Sequence, residues 1–190
     1  MGVLLVMLLL LPACNREDAA GSYPAATQAD CLPKITLVDQ HGSQVELASL
    51  RGKPILIDFV YTSCTATCPM LTAKMESVAK LLGNGLGRKA RFVSLTLDPE
   101  HDGPAQLLSY SERMGANNPG WIFLTGTPEQ IDQVLAIYGI RRNHAPDGSI
   151  MHVNAAYLLG PDGRQNRQYA PLEVSAKTVV RDIEAAMSSS

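Results

Sequence analysis

From residue 34 onward the chain alternates short apolar runs with longer stretches whose apolar positions recur at helical spacing. Residues 34–38 and 44–47 alternate apolar and polar side chains on either side of Asp39-Gln40-His41-Gly42, which predicts a β-hairpin with Gly42 at the tight position and His41 in the turn. Residues 54–60 form a nearly continuous apolar run, the pattern of a central strand covered on both faces. From Pro69, the series Leu71, Met75, Val78, Ala79 and Leu82 has helical spacing and stops in the glycine-rich 83–87 region. A strand over 91–97, a helix over 104–114 and a strand over 121–124 follow. Thr127-Pro128-Glu129-Gln130 then supplies an N-cap, a proline for the first turn and a capping-box partner, opening a helix that Gly139 ends. Residues 152–159 read as a strand, Gly160-Pro161-Asp162-Gly163 as a turn and 167–169 as a short paired strand. Ser175 caps a last amphipathic helix through Ile183 and Met187.

This order, with Cys64 and Cys68 between the apolar run of 54–60 and the helix after Pro69, predicts an α/β fold, a thioredoxin-like sandwich with an added N-terminal β-hairpin. The chain has 190 residues, 46% of them hydrophobic, which suits one domain with a substantial core. Sixteen basic and eighteen acidic residues leave a formal charge of −2, and the basic ones are scattered, so no nucleic-acid partner is expected.

The N-terminus has a different composition. Residues 1–11 are uncharged and almost wholly aliphatic, yet as a helix they would span only about 16 Å of a hydrocarbon layer of about 30 Å. That length suits the apolar core of a secretion signal. Leu11-Pro12-Ala13-Cys14 resembles a bacterial lipobox, which makes 1–13 a lipoprotein signal and Cys14 an acylated mature N-terminus, with a plain signal peptide as the alternative. Residues 14–30 are small and polar without periodicity and read as a flexible tether, leaving 31–190 as the folded domain. The expected location is the periplasmic side of a bacterial membrane.

The chemistry concentrates in Tyr61-Thr62-Ser63-Cys64-Thr65-Ala66-Thr67-Cys68-Pro69, where the apolar run breaks into two thiols at the expected start of a helix. Placed i and i+4 on a helix, both sulfurs would point at one object, and the unpaired amides there would favour thiolate. Such a pair is either a redox couple or a clamp for a soft metal. A structural disulfide closing so small a ring would add little stability, and nothing nearby looks like a general base for a zinc-bound water. Cys31 reads as a partly buried thiol, with intermolecular pairing as the rival.

On these residues the chain resembles the Sco/SenC family of copper-binding proteins of cytochrome c oxidase assembly. The resemblance extends from about residue 32 to 187. It includes Asp39-Gln40-His41-Gly42, Leu50-Arg51-Gly52-Lys53-Pro54, the cysteine segment with its three-residue gap, Leu97-Asp98-Pro99-Glu100 with Asp102, and His152 ahead of Tyr157-Leu158-Leu159-Gly160-Pro161-Asp162-Gly163. It implies that Cys64, Cys68 and His152 hold copper, and that Asp98 stands close by as a supporting carboxylate or partner contact. Where the family usually carries an acidic residue before that histidine, this chain has Met151. The implied function is a membrane-tethered metallochaperone, not strictly an enzyme, that delivers copper to the copper A subunit of cytochrome c oxidase. The alternative is a thiol-disulfide oxidoreductase in which Cys64 and Cys68 reduce the acceptor's own cysteines.

Overall fold

A computed structural model describes residues 22–23, 31–145, 149–151 and 154–188. The main sheet has eight strands: β1 (Ser22–Tyr23), β2 (Thr36–Asp39), β3 (Gln44–Glu46), β4 (Ile55–Val60), β5 (Arg91–Thr96), β6 (Trp121–Thr125), β9 (Ala156–Leu159) and β10 (Gln165–Tyr169). Their order is β1-β10-β9-β4-β5-β6-β2-β3. The helices are α1 (Thr67–Leu82), α2 (Pro104–Arg113), α3 (Pro128–Ile137) and α4 (Ala176–Met187), and β7 (Asn143–His144) and β8 (Ile150–Met151) make a separate two-stranded arm. Among the described residues no helix is long and apolar enough to cross a membrane.

The strand β4 runs parallel to β5 and β5 to β6, while β9 returns antiparallel to β4. All six residues of β4 are buried, as the nearly continuous apolar run predicted, because sheet neighbours and helices cover both of its faces. The helices α1 and α4 lie together over Leu56, Ala156 and Tyr169, and Lys74 of α1 donates to the Val174 carbonyl at 2.9 Å. Thr72 and Tyr110 share a 2.8 Å hydroxyl contact that joins α1 to α2.

The predicted N-terminal hairpin is β2–β3. Asp39 Oδ1 accepts from the amides of His41 and Ser43 at 2.9 and 2.8 Å, and Gly42 adopts φ 82°. Gln40, which the hairpin pattern placed in a turn, is buried and clamps the hairpin to β6: its side chain accepts from the Phe123 amide at 2.9 Å. The capping box at Thr127 and Gln130 and the Ser175 cap both form.

Three expectations change. Within the stretch read as a tether, Ser22–Tyr23 pair with β10 as an edge strand, because that edge offers unpaired backbone groups; the rest of residues 1–30 lies outside the described residues. The late strand is shorter than predicted, since Asn154 and Ala155 are outside β9, which runs Ala156–Leu159. The arm β7–β8 was not foreseen, because two-residue strands leave no periodic signal.

Candidate dithiol site

The strand β4 ends at Val60, and the chain turns through 61–66 into α1. The cysteines therefore stand at the carboxyl end of a central parallel strand, where a helix N-terminus meets the sheet. Pro69 fits the first turn of α1, because the amide it lacks would have no helical partner there. Cys64 lies in the turn, two residues before the N-cap Ala66, and Cys68 is the second residue of the helix. The pair is thus not stacked along a helix face as i and i+4. The turn folds Cys64 back instead, so that its Sγ accepts from the Cys68 amide at 3.4 Å.

The two thiols differ sharply. Cys64 is half-buried and Cys68 is fully buried, and none of Cys31, Cys64 and Cys68 is in a disulfide. Burial works against the Cys64 thiolate, but its sulfur accepts from the amides of Cys68 and Ala66, from the Cys68 thiol and from the Tyr61 hydroxyl. The net effect is a pKa below its ordinary value. Burial pushes Cys68 strongly the other way, and its hydrogen bond to Cys64 and the nearby Asp58 carboxyl add to the rise. The helix start therefore favours one thiolate, not two: the amides of Ala66 and Cys68 go to the half-buried sulfur, while at Cys68 burial outweighs the single backbone bond from Tyr61 and the thiol keeps its proton.

Three residues that carry this site were not assigned to it from sequence. Tyr61 bonds through its hydroxyl to Cys64 and also accepts from the backbone of Ile150 in β8; burial first, then the bond to Cys64, raise its pKa to about 12. Asp58 is the one acidic residue in the apolar run of β4, and that mismatch was the available signal. It is 1% exposed; its Oδ1 accepts from Ser94 Oγ at 2.6 Å, Ser94 in turn accepts from Trp121 Nε1 at 2.9 Å, and Oδ2 has no partner among the described residues. Burial raises its pKa from 3.8 to about 7. Asp102 is the carboxylate that braces the cysteine turn, accepting from the Thr62 amide at 3.0 Å, from Thr62 Oγ1 at 2.5 Å and from Thr96 Oγ1 at 2.7 Å.

Asp98 is buried at the end of β5, where its amide donates to Thr96 Oγ1 at 2.9 Å and its Oδ1 meets His101 Nδ1 at 2.8 Å. It organises its own loop beside the Asp102 brace, and the His101 ring is exposed. Cys31 is not partly but wholly buried, because its carbonyl accepts from Tyr138 Oη at 2.9 Å and its amide bonds to Gly163; pairing with another chain would require unfolding that corner. His152 lies outside the described residues. Among the described residues no three His, Cys, Asp or Glu side chains converge as a metal cluster. The strand β8 does reach the site, since Ile150 bonds to Tyr61, and only Met151 stands between Ile150 and His152 in sequence, a step of at most about 7 Å of chain.

A dithiol at this strand–helix junction, one sulfur exposed and the other sealed beneath it, defines a protein of thioredoxin-like fold with a three-residue gap between its cysteines. A family model described as SCO1/SenC matches residues 24–188. The SCO1 protein homolog of Bacillus subtilis (strain 168) is 31% identical over 156 residues, covering 80% of each chain. The chain belongs to the SCO1/SenC family. Among solved structures it is similar to Bradyrhizobium japonicum ScoI with copper bound, at TM-score 0.69 and 29% identity, covering 80% of this chain and 96% of that one. It is also similar to a structure that identifies a disulfide switch in BsSco, a member of the Sco family of cytochrome c oxidase assembly proteins. That likeness has TM-score 0.72 and 29% identity, with 84% and 94% covered.

Proposed function

We propose that the protein is a copper carrier of cytochrome c oxidase assembly, taking one Cu(I) on Cys64, Cys68 and His152 and passing it to the copper A subunit. The observation that supports this most directly is the Tyr61 hydroxyl, which ties the Cys64 sulfur to the backbone two residues before His152. Two sulfurs and one imidazole suit a soft cation of low coordination number. Loading releases the thiol protons, so capture strengthens as pH rises. The half-buried Cys64 is the entry and exit point, because a partner's sulfur or imidazole can reach it while Cys68 is covered. The relatives named for bound copper and for oxidase assembly favour the same cargo and destination.

The site also favours a second reading. A depressed Cys64 thiol and a strongly raised Cys68 thiol are the attacking and resolving pair of disulfide exchange. In that step the Cys64 thiolate attacks one sulfur of an acceptor disulfide and expels the other as a thiolate. Cys68 then loses its proton and attacks Cys64, forming the Cys64–Cys68 disulfide and releasing the acceptor's second thiol; the acceptor gains two electrons and this chain loses them. On the proposed reading the domain is exported and held to the periplasmic side of the membrane by lipid on Cys14.

Anaerobic copper titration of the reduced protein, with X-ray absorption to count ligands, tests the carrier role. One copper with two sulfurs and one nitrogen is the expected result, and a His152→Ala variant of unchanged Cu(I) affinity would refute it in favour of exchange.

A further inference from the structure

The segment between α3 and β9 carries an ion-pair clamp whose location bears on the third ligand. Arg142 immediately precedes β7, and its side chain is only 8% exposed although it carries a full charge. Its Nε and Nη2 reach Asp132 Oδ1 and Oδ2 of α3 at 2.7 and 3.3 Å, a two-pronged grip, and its Nη1 reaches Glu100 Oε2 at 2.6 Å. Glu100 belongs to the same 97–102 loop whose Asp102 braces Thr62 in the cysteine turn. One guanidinium thus joins α3, the loop that supports the cysteine turn and the root of the arm.

The register of the arm shows what the clamp fixes. Asn143, next to Arg142, is paired across the arm with Met151, and His144 with Ile150. Paired Cα atoms in an antiparallel ladder stand only about 4.5–5.5 Å apart. Met151 is the residue before His152 in sequence, so the strand that leads into the histidine is one pairing away from the residue beside the clamp. On the return side, Ile150 is held by the Tyr61 hydroxyl. A two-stranded arm of two residues each is too short to hold its own position in water, so its placement depends on these outside attachments.

We propose that Arg142 is a positioning residue for the His152 ligand: by gripping Asp132 and Glu100 it fixes Asn143, and through the Asn143–Met151 pair it holds the residue to which the histidine is joined. This rests on the reading of His152 as a copper ligand. Arg suits the task better than Lys, because a planar fork engages one carboxylate with two nitrogens while a third reaches another.

The test is a cycle of Cu(I) affinities, measured by anaerobic competition with a chromophoric chelator, for the parent protein, Arg142→Gln, His152→Ala and the double variant. Groups that orient a metal ligand typically contribute 10- to 100-fold in affinity. Arg142→Gln is expected to weaken binding by about that factor in the parent and to cause no further loss in the His152→Ala background. Equal losses in both backgrounds, or no loss in the parent, would overturn the inference while leaving His152 as a ligand. A His152→Ala variant of unaltered affinity would instead remove the reading on which the inference rests. A metal-free readout stands beside it: amide hydrogen exchange over 143–151 should accelerate in Arg142→Gln, with β4, β5 and β6 unchanged, and unaltered exchange in the arm would count against the clamp. If Arg142→Gln does not fold, Glu100→Gln takes its place in the same cycle, with a smaller loss expected in the parent and again none beyond His152→Ala.

Discussion

Replacing Asp58 by Asn should make the protein more stable, and by an amount that grows with pH. The carboxyl is 1% exposed, Ser94 Oγ donates to one oxygen, and the other has no partner among the described residues. Burial holds its pKa near 7 rather than 3.8. Below pH 3.8 the group is protonated in both folded and unfolded chains and contributes nothing to the pH dependence. Between 3.8 and 7 the unfolded chain releases the proton while the native state keeps it, so each pH unit costs the native state about 1.36 kcal/mol. Above 7 both states are ionised and the loss levels off at about 4 kcal/mol. A carboxamide of the same shape still accepts from Ser94 and never ionises. The stability difference between Asp58→Asn and the parent should therefore widen by about 2.5 kcal/mol between pH 5 and pH 8, which for a domain of this size is a relative gain of roughly 5–10 °C in Tm. Urea unfolding of the two reduced proteins at several pH values measures it. Parallel stability curves across that range would show that the Asp58 carboxyl does not stay protonated in the native state, and the account of the buried site would fail.

Other expectations follow from the same geometry. Tyr61→Phe deletes the hydroxyl that donates to Cys64, so the midpoint of the pH profile for iodoacetamide alkylation of Cys64 should move up; an unmoved midpoint would remove Tyr61 from the site. In the native reduced protein alkylation should reach Cys64 and spare Cys68 and Cys31, which mass spectrometry of peptides would locate. Asp102→Ala removes three hydrogen bonds, two from Thr62 in the turn that carries Cys64 and one from Thr96 of β5, and should destabilise the fold by about 2–4 kcal/mol in chemical denaturation, since bonds to a charged acceptor are worth about 1.5–3 kcal/mol each and do not add fully. Gly120→Ala should be worse tolerated than an exposed glycine substitution, because its Cβ would stand 2.8 Å from both Gly87 Cα and the Leu86 carbonyl carbon, backbone atoms that cannot rotate away; a Tm within 2 °C of the parent would contradict that packing.

The fold was largely legible because its signals are local. The β4 run, the helical spacing after Pro69 and the Thr127 box each encode their own element. The site was legible only in part. The cysteines announce themselves, and an acidic residue inside the β4 run was a signal for Asp58 that the sequence reading did not use, but the direction of each thiol's pKa depends on which amides the turn aims at which sulfur. The i, i+4 spacing alone could not show that Cys64 lies before the helix. Asp102 and Arg142 were illegible for another reason: their partners Thr62, Thr96, Glu100 and Asp132 come from separate elements, and only the completed sheet brings them within 3.3 Å. Asp98, the carboxylate the resemblance pointed to, turns out to organise its loop through Thr96 and His101, four residues from the one that holds the cysteine turn.

The difference between the two thiols also bears on whether carriage and exchange compete. A carrier needs both sulfurs deprotonated while loaded, whereas an exchanger needs only the outer thiolate until the mixed disulfide must be resolved. Here the inner thiol is held protonated by burial, with the Asp58 carboxyl and the Cys64 sulfur adding to that effect. A cation placed between the sulfurs would reverse that balance, because its charge stabilises the second thiolate far more in a buried site than in water. On the carrier reading, Cys64 and Cys68 would hold the metal and neither sulfur would be available as a nucleophile; empty, the pair presents one reactive thiolate above a reluctant partner. Occupancy would then decide which chemistry the same two cysteines perform, and adding Cu(I) to the reduced protein should suppress Cys64 alkylation in proportion to the copper bound, reaching completion at one equivalent.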